Sequence, residues 1–197
     1  MTTRFRDLTR ADILPMERYE RERREHRKRI SALKQNRRVE VGPHATFYFE
    51  NFDTMWHQVH EMLAVERGGE AQLADELEAY NPLIPKGSEL VATVMFEIED
   101  PVQRDKLLHK LGGVEHKMYL SVAGEKIMGE ADPTRENTSP EGKASSVQFM
   151  RFPFSSAQKA KFKTPGTQVI AGIEHPNYGH MAVLSEATRQ ALAEDLS

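Results

Sequence analysis

At Glu89 the spacing of the apolar residues changes, and that change limits what the chain can fold into. Before it, apart from one short hairpin, apolar residues recur three and four positions apart, as on one face of a helix. After it, ELVATVMFEI, SVQFMRFPF and TQVIAGI alternate, as in strands buried on one side. From Glu89 the order reads strand, helix, strand, an extra strand after Gly124, strand, helix, strand. This predicts an α+β fold, with a mixed or antiparallel sheet, helices packed on it and a split βαβ-like C-terminal part. Ser185 starts a last helix.

Upstream, residues 15–35 read as a charged helix with Pro15 in its first turn and acids placed before bases, as the helix dipole favours. Met16, Tyr19, Ile30 and Leu33 share a stripe with Arg23 and His26 in its middle, a poor seam for a dimeric coiled coil. RRVEVGPHATFYFEN alternates as two short strands about Gly42 and Pro43. Thr54 is the expected cap of the next helix, which runs to Arg67 before Gly68 and Gly69. A further helix carries Leu73, Leu77 and Tyr80, and NPLIPKG is a stiff connector. The organisation expected is a basic helical segment over 1–38 and one α+β domain over 39–197, with a hairpin and two helices in 39–85 and a sheet-helix body in 86–197.

With 197 residues, 39% of them hydrophobic and 29% charged, the chain suits one packed domain. No run reaches the roughly 18 apolar residues of a membrane span, and the first thirty residues lack a signal-peptide core, so a cytoplasmic location is expected. The absence of cysteine excludes disulfides and thiolate chemistry, and leaves His, Asp and Glu as the strong metal ligands. Residues 1–38 hold 13 Lys/Arg against 6 Asp/Glu, while the rest of the chain is acidic. That asymmetry fits a homo-oligomer or another partner. Phosphate contacts by Arg18, Arg21, Arg24, Lys28, Arg37 and Arg38 are the nucleic-acid alternative, disfavoured because acids interleave with the bases.

Three clusters are candidates for chemistry. His57, His60 and Glu61 lie within one helical turn and could hold iron or zinc, with His175 or His180 completing the shell. However, HQVHE is neither the zincin order nor its inverse, and His57 and Glu61 point roughly 160° from the apolar face of their helix, as an exposed polar face would. Glu66, in contrast, falls within roughly 20° of the core direction and needs a cation or several donors there. It reads either as a structural ion pair or as a ligand-binding carboxylate. Finally, IEHPNYGH puts His175, Tyr178 and His180 in a turn after a strand, where they could orient a ligand or simply bond the backbone. No GxGxxG, GxxxxGK[ST] or GxSxG pattern occurs, so common nucleotide cradles and the hydrolase elbow lack support.

Taken together, YERERREHRKRI, KQNRRVEVGP, QVHEML-VER, ELEAYNPLIP, SVQFMRF, IEHPNY and ATRQALAEDL resemble an uncharacterised bacterial family, domain of unknown function 3501, over nearly the whole chain. The resemblance implies a compact bacterial cytosolic domain and no particular activity. Members' association with rubrerythrin-like and iron–sulfur proteins would suggest a link to oxidative stress or iron metabolism. Gln58, Glu61, Glu66 and Arg67 match the family pattern, whereas His57 and His60 do not. The expectation is therefore a protein that binds a small ligand or a protein partner in a polar cleft of Glu61, Glu66, Arg67, His175 and Tyr178. Metal binding through His57, His60 and Glu61 is the alternative.

Overall fold

The computed structural model describes residues 4–197. Its helices are α1 (Met16–Gln35), α2 (Phe52–Glu66), α3 (Gly69–Tyr80), α4 (Pro101–Lys110), α5 (Ser156–Lys163) and α6 (Glu186–Ala193). Its strands are β1 (Arg38–Val41), β2 (Ala45–Glu50), β3 (Glu89–Phe96), β4 (Met118–Val122), β5 (Glu125–Met128), β6 (Glu130–Ala131), β7 (Val147–Pro153), β8 (Val169–His175) and β9 (Tyr178–Val183). All pairings between these strands are antiparallel. They form a five-stranded sheet, β1-β2-β3-β7-β6, and a four-stranded sheet, β5-β4-β8-β9. The fold is α+β, and the strand-helix order expected from Glu89 is present with its strands shared between two sheets. Among the described residues, no helix is long and apolar enough to cross a membrane.

Alternation explains the layers. Phe47, Phe49, Leu90, Ala92, Val94, Met150 and Phe152 from one sheet and Met118, Leu120, Val122, Val169, Ala171 and Ile173 from the other form one buried cluster. Each large side chain buried there contributes about 1.5–3 kcal/mol. The intervening residues of the five-stranded sheet point the other way. At one end of that outer face Val91 joins a second core with Tyr19, Phe52, Met55, Val59, Leu63, Leu73 and Leu83. The N-terminal strap seals this helical layer through polar contacts: Leu8 N donates to Asn81 Oδ1 (2.7 Å), and Trp56 Nε1 donates to Asp12 O (2.8 Å).

Local signals place most helix ends. Asp100, Ser155 and Ser185 each accept a bond from the third residue of the helix they cap. Helix α2 departs from expectation, because its cap is Asn51 and not Thr54. Asn51 Oδ1 accepts from Thr54 N (3.0 Å) while Thr54 Oγ1 accepts from Asn51 N (2.9 Å), a reciprocal box that starts the helix three residues earlier. The helix ends when Arg67 turns left-handed at φ 56°. The other departure is β9, which reads in sequence as a turn. Of its six residues only Tyr178 is buried, so it carries no alternation to read.

Candidate functional site

The apolar stripe of α1 packs on α2, and its polar members decide the character of the contact. Tyr19 is fully buried, and its hydroxyl donates to Glu61 Oε1 at 2.8 Å. Glu61 also accepts from Arg23 Nε (2.9 Å) and from Arg27 Nε (3.2 Å). Its carboxyl is held well below the usual range, chiefly by Arg23 and then by Arg27 and Tyr19. The face of α2 that its own turning angles mark as exposed is therefore covered. Turning angles measured from a helix's own apolar face do not register a second helix that brings complementary charge.

His60 is also fully buried. Leu14 N donates to its Nε2 (3.0 Å), which fixes that nitrogen as an acceptor, so Nδ1 carries the proton and donates to Trp56 O (2.6 Å). Burial pushes its pKa down to about 4, keeping it neutral. Both ring nitrogens are in use, and Glu61 is committed to two arginines, so His57, His60 and Glu61 do not form an open ligand set. Among the described residues, no group of three or more His, Asp and Glu side chains is disposed to hold a metal ion.

The remaining expected residues fall into two sets, Glu66 and Arg67 at the end of α2, and His175, Tyr178 and His180 together on β8 and β9. Glu66 is exposed rather than core-directed, and it accepts from Gln72 Nε2 (3.1 Å). It is the last residue of α2, where the apolar layer has already ended at Ala64. Arg67 is exposed and reaches Glu20 at 3.5 Å. His175 Nδ1 accepts from Asn177 N (3.2 Å) and Nε2 donates to Gly112 O (3.3 Å), while the His180 ring covers Gly42. Tyr178 OH accepts from His44 N and Ala45 N (both 2.9 Å) and donates to Val41 O (2.8 Å), so it pins the β1–β2 turn to the second sheet. The expected cleft joining Glu61, Glu66 and Arg67 to His175 and Tyr178 does not form. Tyr178→Phe, which strips the partner from two backbone N–H groups, is expected to lower stability by about 2–3 kcal/mol in urea unfolding.

A different concavity emerges on the outer face of the five-stranded sheet, where α2 and α3 stop short. Along β2, β3 and β7 the outward positions are Tyr48, Glu50, Thr93, Met95, Val147 and Phe149. With Lys34, Met55, Gln58, Tyr80 and Leu83 they line a cavity of about 360 Å³. A second cavity of about 430 Å³ shares Lys34 and Tyr48 with it and is otherwise lined by Arg27, Ile30, Ser31, Gln35, Arg38 and His57. The two adjoin as one groove, with a basic rim and a mixed interior.

Glu50 is the unusual group in that groove. It is only 8% exposed, and it accepts one side-chain hydrogen bond, from Thr93 Oγ1 at 2.8 Å. Among the described residues, no Lys, Arg or His nitrogen lies within 4.0 Å of its carboxylate. Lys34, on the rim, likewise has no carboxylate within that distance. The hint in the sequence was parity: Tyr48 and Glu50 alternate with Phe47 and Phe49, which are core residues.

The chain matches, over residues 7–196, the family described as "Protein of unknown function (DUF3501)". It is also similar to a crystal structure described as a novel protein of unknown function from Burkholderia pseudomallei K96243, with 37% identity, a TM-score of 0.89 and 100% of each chain covered. No curated protein matches it. With the family pattern spanning nearly every element described above, the chain belongs to the DUF3501 family.

Proposed function

We propose that this protein binds a small molecule in the groove over the outer face of the five-stranded sheet, with a cationic or strongly donating group of the ligand on Glu50. The observation that carries the reading is the Glu50 carboxylate, with a single side-chain hydroxyl donor and, among the described residues, no cation within 4.0 Å. A mostly covered carboxylate at a groove gains from a paired cation, and an ammonium group can supply both charge and donors. The floor of Met55, Leu83, Met95, Val147 and Phe149 suits a short apolar or aromatic body attached to that group. The polar groups of this proposed groove are Glu50, Arg27, Arg38 and His57, and the expected ligand-binding set of Glu61, Glu66, Arg67, His175 and Tyr178 has no part in it.

The test is a thermal-shift comparison of n-butylamine and phenethylamine with 1-butanol and phenethyl alcohol. Near saturation the amines should raise the Tm of the wild type by about 5 °C or more, and the alcohols should not. Glu50→Gln keeps the shape and the Thr93 contact but removes the charge. It is expected to keep the fold without ligand and to lose the amine response. Equal responses to amines and alcohols, or an unchanged amine response in Glu50→Gln, would overturn the reading.

A further inference from the structure

The basic rim of the groove has chemistry of its own. Arg27 and Lys34 are seven residues apart on α1 and so share a face. Arg38 opens β1 and His57 comes from α2, so three separate elements converge on the 430 Å³ cavity. Arg27 engages Glu61 through Nε and Nη2, leaving Nη1 without a partner among the described residues. Arg38 pairs with Glu40 on the surface, where such a pair is worth little, and its guanidinium lies over the Tyr48 ring, 5.6 Å from the centroid. The C-terminal end of α1 opposes an anion with about half a negative charge, and the carboxylates of Glu61 and Glu40 already pair with Arg27 and Arg38, so the attraction rests on Lys34 and on the open donors of the two guanidinium groups.

His57 adds selectivity. The single proton of the Tyr19 hydroxyl goes to Glu61, so the Tyr19 oxygen accepts from His57 Nδ1 at 3.1 Å, and Nδ1 is the protonated nitrogen. Nε2 then keeps its lone pair, and His57 is among the residues that line the 430 Å³ cavity. Burial pushes the pKa of His57 down to about 4, which keeps that lone pair available at neutral pH. A lone pair set among cations favours an oxyanion that is negatively charged yet still carries a proton. Hydrogen phosphate meets both conditions, whereas sulfate meets only the first.

We infer that the rim is a site for a protonated phosphate group, free or as a monoester, with Arg27, Lys34 and Arg38 holding its oxygens and His57 Nε2 accepting its hydroxyl. This rests on the groove being a ligand site and specifies what its open end takes.

The experiment is isothermal titration of the full chain at pH 7 and matched ionic strength with inorganic phosphate, sulfate and ethyl phosphate. Phosphate should bind at least tenfold more tightly than sulfate. Lys34→Gln combined with Arg38→Gln, both exposed positions, should weaken phosphate at least tenfold. His57→Phe should reduce the preference over sulfate to less than twofold. Tighter binding of inorganic phosphate assigns the site to the free anion and tighter binding of ethyl phosphate to an ester, and either result upholds it. Equal affinity for phosphate and sulfate, or a Lys34/Arg38 double variant that binds as the wild type does, overturns it. The amine response is read separately. Absence of phosphate binding with that response intact therefore removes this inference alone, and phosphate binding without the amine response removes only the assignment of Glu50.

Discussion

Replacing Arg37 with Met is expected to destabilise the protein by about 3–5 kcal/mol at pH 7.5, among the largest effects of any single substitution here. Arg37 is only 3% exposed. Its guanidinium donates to Phe49 O (3.0 Å), Glu50 O (3.1 Å) and Ala191 O (3.3 Å), and it is paired with Asp195, itself 1% exposed. It ties the end of β2, where Glu50 sits, to the C-terminal helix. Met fills much of the volume but leaves three carbonyls without their donor and a buried carboxylate without its cation. Asp195 already has one oxygen, Oδ1, without a hydrogen-bond partner, and burial pushes its pKa up to about 6 against the opposing pull of Arg37.

The direction of the pH effect follows. A carboxyl whose pKa is higher folded than unfolded takes up a proton in the folded state first. Asp195 therefore adds stability as pH falls from about 6 towards 4, and withdraws it as pH rises. Without Arg37 that pKa moves higher still, so the deficit of Arg37→Met should shrink between pH 7.5 and 5. Urea unfolding at the two pH values measures it. A loss below 1 kcal/mol, or a larger loss at pH 5, would contradict the role assigned to the pair.

The second large effect is at His60, and its sign is opposite. An unfolded histidine takes its proton near pH 6.5, but folded His60 resists until about 4. The unfolded chain binds the extra proton across that window, so stability falls as pH falls from about 6.5 to 4, by up to about 3 kcal/mol from this residue. His60→Gln can still accept from Leu14 N and donate to Trp56 O, and it does not titrate. It is expected to lose about 1–2 kcal/mol at pH 7.5 and to become the more stable protein near pH 4.5. His57 and Asp195 titrate in the same range, so the informative quantity is the difference between variant and wild type. Parallel stability curves from pH 7.5 to 4.5 would exclude the buried neutral imidazole.

Much of the fold was legible because its signals are local. The apolar stripe of α1, the turn at Gly42 and Pro43 and the Ser155 and Ser185 caps each depend on residues within a turn or two. Strand β9 was not legible, since a nearly uncovered edge strand has no alternation. Glu66 was misplaced because a turning angle gives a direction but not how far the neighbouring layer extends. For Glu61 the missing information was the partner: Tyr19 and Arg23 mark the packed stripe of α1, but their target lies 42 and 38 residues away. The groove required more. Parity within β2 sends Tyr48 and Glu50 outward, yet only the register that sets Tyr48 opposite Thr93, and Thr93 opposite Phe149, assembles them into one surface. That register depends on pairing segments more than forty residues apart, which no local pattern contains.

The groove is the centre of the functional account, and its methionines report on it directly. Met55 and Met95 line it, while Met128 and Met181 are exposed on the other sheet. The decisive measurement is the 13C-methyl methionine spectrum during titration with phenethylamine. The account expects the Met55 and Met95 signals to shift saturably while those of Met128 and Met181 stay in place. Movement of Met128 and Met181 with Met55 and Met95 unchanged would put the binding surface elsewhere and contradict it.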